Sequence, residues 1–166
     1  SRSNDFMVTS KKIHFIATTL LIFGVLLNIL PVPETLLSKT PPILLLILVY
    51  LTIAFPNHIN LTYAFISGLV FDILYHTPLG YNALCHTITI FLILLYYPQI
   101  RLQSNWNKVF SLLIILIPYF LISTIVNSML SIEYNIFDIC ISIFISILIW
   151  PGLFNMLRFI RQKYIS

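Results

Sequence analysis

Long runs of apolar residues, separated only by short polar breaks, dominate this chain from residue 13 to residue 157. The runs approach the roughly 20 residues that an α-helix needs to cross a bilayer, and they lack the alternating pattern of barrel strands. Of the 166 residues, 59% are hydrophobic and only 8% are charged, whereas a soluble domain carries about 25% charged residues. The sequence therefore predicts an all-α integral membrane protein.

The positions of the polar breaks predict six membrane-spanning helices. Pro31 and Pro33 end the first apolar run, Pro56 closes the second, and Thr77-Pro78 separates the third from the fourth. The predicted spans are 13–30, 41–55, 59–75, 79–97, 109–130 and 136–157. They form one membrane domain over residues 7–166, and residues 1–6, which precede Met7, are expected to be an artificial remnant.

The basic residues are divided unevenly between the two ends of these spans. Of nine basic residues, six spans place Lys39 alone on one side and the other eight on the opposite side, namely Arg2, Lys11, Lys12, Arg101, Lys108, Arg158, Arg161 and Lys163. The positive-inside rule then predicts that both termini are cytoplasmic. The basic residues are dispersed at span ends without a clustered face, so the net charge of +4 does not indicate nucleic-acid binding.

Asp72 lies within the third predicted span, where a carboxylate costs roughly 2.5 to 3.5 kcal/mol on insertion scales. It belongs to a stripe of polar and small residues at four-residue spacing: Asn60, Ala64, Gly68, Asp72 and His76. Such a stripe occupies one side of a helix and must face protein. Two interpretations stay open for Asp72. It caps helix ends by accepting backbone N–H groups around Thr77 to Gly80 or Asn82, or it serves a partner.

No complete catalytic motif accompanies Asp72. A metal site could use Asp72, His76 and His86, but a transmembrane His more often hydrogen-bonds another helix. An aspartyl protease needs paired carboxylates, and Asp138 is the one other aspartate in a predicted span, without the Gly-x-Gly-Asp setting. Gly-x-Ser-Gly and P-loop patterns are also missing. We therefore expect neither enzymatic activity, nor a bound metal, nor a cofactor.

Several short motifs, in order along almost the whole chain, resemble the bacterial rod shape-determining MreD family. They are Leu30-Pro31-Val32-Pro33-Glu34, the run from Pro41 to Tyr50, Phe55-Pro56-Asn57-His58, Gly68-x-x-x-Asp72, Thr77-Pro78-Leu79-Gly80 with Ala83-Leu84, and Trp150-Pro151 followed by Arg158 and Arg161. Asn82 departs from the pattern, because some relatives carry an arginine there. An ion pair from Asp72 across the hairpin is therefore not implied.

The resemblance implies a non-enzymatic component of the cell-elongation machinery in the bacterial inner membrane, which supports cell shape and peptidoglycan synthesis. Members of the family act with MreC, and through it with MreB, with RodA and its transpeptidase, and with RodZ. Membrane lipids and a second copy of the chain are further partners left open. The candidate structural or partner-binding residues are Asp72, Gly68, Ala64, His76, Thr77, Pro78, Gly80, Asn82, Trp150 and Pro151.

The fold of that family is also similar to the six-helix substrate-binding subunits of energy-coupling-factor vitamin transporters. This similarity suggests an alternative function, in which the polar stripes line a small-molecule pocket. Trp106 is in a predicted cytoplasmic loop, and Trp150 is near the inner end of the sixth span, so neither is expected in an outer pocket. Trp150-Pro151 is instead interpreted as an interfacial anchor and a kink. We favour partner binding.

Overall fold

The computed structural model describes residues 2–30, 42–102, 105–129, 131 and 135–165. These residues form six helices, which are α1 (Arg2–Ile29), α2 (Ile43–Ala54), α3 (Leu61–Leu74), α4 (Tyr81–Leu102), α5 (Asn105–Met129) and α6 (Ile136–Ile165). No strand occurs in the described residues. The all-α prediction is therefore confirmed.

Four helices are long and apolar enough to cross a membrane unaided, over Thr9–Ile29, Tyr81–Ile100, Phe110–Met129 and Ile136–Tyr164. The other two, α2 and α3, are apolar but contain only 12 and 14 residues. At 1.5 Å per residue they are about 18 and 21 Å long, shorter than the roughly 30 Å hydrocarbon core. The predicted spans 41–55 and 59–75 were thus longer than the helices, because Pro42 and Asn60 precede the first helical residues.

Helix α2 lies at the centre of the bundle. Every residue from Leu44 to Ile53 is buried, and the helix packs against α1, α4 and α6. A helix that is apolar on all sides is stable when protein surrounds it completely. The shortest helix is therefore also the most deeply enclosed one.

Helices α3 and α4 form the most extensive helix pair in the described chain. Only residues 75–80 connect them, so the break at Thr77-Pro78 between the third and fourth predicted spans is the turn of a tight helical hairpin. Gly68 allows the close contact, since a Cβ atom there would lie 2.3 Å from the Cα of Ala83. Helix α5 packs on the other side of α4, and α6 packs against α5. The hairpin is thus one edge of a bundle built around α2.

Candidate functional site

The hairpin turn begins after Leu74, the last residue of α3. Tyr75 is the C-cap residue, and His76 follows in the left-handed conformation, with φ of 51°. The backbone N–H of Thr77 donates to the carbonyl oxygen of Asp72 at 3.1 Å. This six-to-one hydrogen bond and the left-handed residue before it are features of a Schellman motif, which satisfies carbonyl groups left free at a helix end.

The side chain of the same aspartate caps the next helix. Gly80, with φ of +98°, precedes α4 and has no side chain that could cap it. The Asp72 carboxylate accepts the backbone N–H groups of Gly80 and Asn82, both at 2.9 Å, and that of Ala83 at 3.4 Å. A negative charge at this position also complements the positive end of the helix dipole.

Two side chains complete the surroundings of the carboxylate. The hydroxyl of Thr77 donates to Asp72 Oδ1 at 2.7 Å, and the Asn82 amide donates to the same oxygen at 3.0 Å. The Asn82 amide also contacts the Thr77 hydroxyl at 3.2 Å. Asp72 is only 1% exposed, and a buried carboxylate is tolerated when such hydrogen bonds compensate for lost water. These contacts agree with the interpretation in which Asp72 caps helix ends.

Six of the ten candidate residues come together in this hairpin: Ala64, Gly68, Asp72, Thr77, Gly80 and Asn82. Ala64 and Gly68 are buried on α3, and Gly68 faces the backbone of α4. The contact within the chain therefore occupies the small-residue face that could have received a partner helix. His76 and Pro78 are exposed on the turn.

Trp150 and Pro151 lie far along the chain on α6, outside this cluster. The prediction of Trp150 as an interfacial anchor is wrong, because the side chain is 2% exposed. Its ring packs 5.8 Å from that of Phe154, beside a small apolar cavity that Ile53 and Leu112 also line. The indole belongs to the buried apolar cluster that also contains Ile53 of α2 and Leu112 of α5. Pro151 is exposed within α6, which continues past it.

A second buried polar group contains His86 of α4. Its Nδ1 is 3.3 Å from the hydroxyl of Ser67, which also donates to the carbonyl of Ala64 at 2.9 Å. The His86 Nε2 atom has no hydrogen-bond partner in the described part of the chain. His76 is exposed on the turn, whereas His86 is buried between the helices. The residues described contain no group of three His, Cys, Asp or Glu side chains that could hold a metal.

Sequence reasoning missed the side chains that fasten α1 to the hairpin. Near one end of α3, His14 Nδ1 and the Tyr63 hydroxyl are 2.6 Å apart. At the other end, the Tyr75 hydroxyl donates to the carbonyl of Asn28. Since these partners are 49 and 47 residues apart, no local pattern could have paired them. The sequence signal for these contacts was the presence of polar aromatic residues, Tyr63 and Tyr75, near the two ends of α3.

Comparison with known proteins gives one family and one curated relative. The model of the family described as rod shape-determining protein MreD matches residues 9–160, which include the whole hairpin. The rod shape-determining protein MreD of Haemophilus influenzae is 28% identical over 151 residues, which cover 90% of this chain and 92% of the relative. No solved structure matches significantly.

Proposed function

This chain belongs to the MreD family of rod shape-determining proteins, and on that basis we propose that it supports rod shape and peptidoglycan synthesis by binding MreC, without catalysis. The observation that carries the proposal is the family match over residues 9–160. The same match does not favour the vitamin-transporter alternative. The geometry supports a structural role, since the carboxylate oxygens of Asp72 already accept the backbone N–H groups of Gly80 and Asn82 at the start of α4.

We further propose that all six helices cross the bacterial inner membrane, with both termini in the cytoplasm and the α3–α4 turn outside. The uneven distribution of basic residues supports this orientation. The short α2 is compatible with a crossing because α1, α4 and α6 surround it. The polar groups at its ends then contact protein instead of lipid. Within a membrane, backbone that is not helical is tolerated only in such protein or water surroundings. A six-helix fold similar to the vitamin-binding subunits remains part of this proposal.

The turn of the hairpin is the surface that we assign to MreC. Asp72 and Asn82 fix the turn from inside through their hydrogen bonds, while Leu79 is 75% exposed at its tip and His76 is exposed beside it. A surface that is ordered before binding loses less conformational entropy when the complex forms. Asp72 thus acts as a positioning residue for its exposed neighbours. MreB, RodA with its transpeptidase, and RodZ would be reached through MreC.

Depletion in a rod-shaped host tests the cellular part of the proposal. Cells that lose the protein should become round and swell, and MreC should lose its normal distribution. Insertion of unrelated membrane proteins should continue, which separates a specific role from general membrane damage. Restored expression of the wild-type chain should restore the rods. Unchanged cell shape after complete depletion would contradict the proposed function.

A further inference from the structure

An apolar groove runs between α1 and α3 on the outside of the bundle. Its volume is about 460 Å³, within the range of roughly 300–1,000 Å³ that is typical of ligand pockets. Leu44 of α2 contributes to the lining, and the two walls include Thr18, Ile22, Leu26, Tyr63, Ile66 and Val70. Because its wall residues Ile22 and Ile66 are more than half exposed, the groove is accessible from the side.

Hydrogen bonds bracket this groove at both ends. His14 and Tyr63 join α1 to α3 on the side where α1 begins, and Tyr75 joins the hairpin to Asn28 where α1 ends. The His14 ring is also 5.7 Å from the ring of His58. The apolar surface between the two helices therefore has a polar boundary near the N-terminal part of α1.

A basic residue of α1, Lys11, lies beyond that boundary. Lys11 is seven residues, or about two helical turns and 10 Å, from Thr18, so it lies on the same side of α1. Lys12 is rotated from Lys11 by about 100°, and both lysines are exposed. Asp72 and Asp138, the two acidic residues whose side chains the structure describes, belong to the opposite end of the bundle. The end of the groove near Lys11 therefore favours an anion.

An apolar groove with a basic residue at one end is complementary to an anionic phospholipid. We propose that one acyl chain of such a lipid occupies the groove while its phosphate lies against Lys11. A transmembrane helix is about 10–12 Å across with its side chains, so this groove accommodates only a small part of one. The topology proposed above assigns the lipid to the cytoplasmic leaflet, whereas the site itself does not depend on MreC binding.

Native mass spectrometry of the purified full-length chain tests this site. The protein is offered equal amounts of phosphatidylglycerol and phosphatidylcholine in detergent, and the lipid retained per protein is counted. We expect one phosphatidylglycerol to be retained in preference. Lys11→Gln should weaken its retention about fivefold, as expected for one basic residue near an anionic group, while the matched control Lys12→Gln should leave it unchanged.

A second pair of variants tests the apolar part of the groove. Ile22→Trp fills the groove and should abolish retention of the lipid. Phe23→Trp places the same side chain one position away, outside the lining residues, and should leave retention unchanged. Equal retention of both lipids by all variants would overturn the proposal and leave only a nonspecific lipid shell. If Ile22→Trp instead released co-expressed MreC and left lipid retention intact, the groove would belong to a partner helix.

Discussion

The carboxylate of Asp72, near the end of α3, accepts the backbone N–H of Asn82, in the first turn of α4, at 2.9 Å. The carbonyl of the same aspartate accepts the N–H of Thr77. Asp72 thus accepts a hydrogen bond with its backbone carbonyl at the end of α3 and caps the start of α4 with its side chain. The turn between the two helices is held in one conformation as a result.

Replacement of Asp72 should destabilise the hairpin. Asp72→Ala leaves the N–H groups of Gly80 and Asn82 without their acceptor, and each buried unsatisfied group costs about 1–3 kcal/mol. Asp72→Asn keeps the size of the side chain but replaces one acceptor oxygen with a donor, so it should also lower the melting temperature in detergent. Thr19→Ala, which removes an exposed hydroxyl bonded only to its own helix, is the control. Wild-type melting of both Asp72 variants would contradict the capping role.

The closeness of α3 and α4 predicts that Gly68→Ala is harmful. The added Cβ would lie 2.3 Å from the Cα and 2.5 Å from the backbone nitrogen of Ala83, so the helices must separate, at a cost of about 1–3 kcal/mol or more. Gly152→Ala is the matched control, since a Cβ atom added there would meet no neighbouring group within 4 Å and alanine favours helix. Membrane abundance and melting should fall only for Gly68→Ala; equal behaviour would refute the close contact.

The proposed topology predicts which engineered cysteines an impermeant thiol reagent reaches in intact cells. Lys39→Cys and Glu133→Cys should react, whereas Lys108→Cys should react only after the membrane is opened. The native thiols Cys85 and Cys140 are free and are replaced by alanine beforehand. Lys39 and Glu133 lie outside the described residues, so this experiment depends on the distribution of charge along the sequence. Labelling of Lys108→Cys in intact cells would overturn the orientation.

Local sequence signals predicted the hairpin and the placement of Asp72 within it. Thr77-Pro78 leaves too little chain for a longer connection, and an aspartate among apolar residues must find donors. The sequence could not distinguish capping from partner binding by Asp72, because the answer depends on the register in which α4 packs along α3. The contact of Gly68 with Ala83 sets that register. Trp150 was misjudged for a similar reason: its burial with Ile53 and Leu112 comes from the packing of helices that are distant in the sequence.

Retention of MreC by the purified protein tests the central claim most directly. After co-expression and extraction in mild detergent, mass spectrometry should find MreC with the wild-type chain. Leu79→Ser, at the exposed tip of the turn, should lose most of it without a change in melting. Leu102→Ser, equally apolar and 89% exposed at the far end of α4, should retain it. Absence of MreC from the wild-type preparation, together with tight and saturable binding of a water-soluble vitamin, would contradict the account.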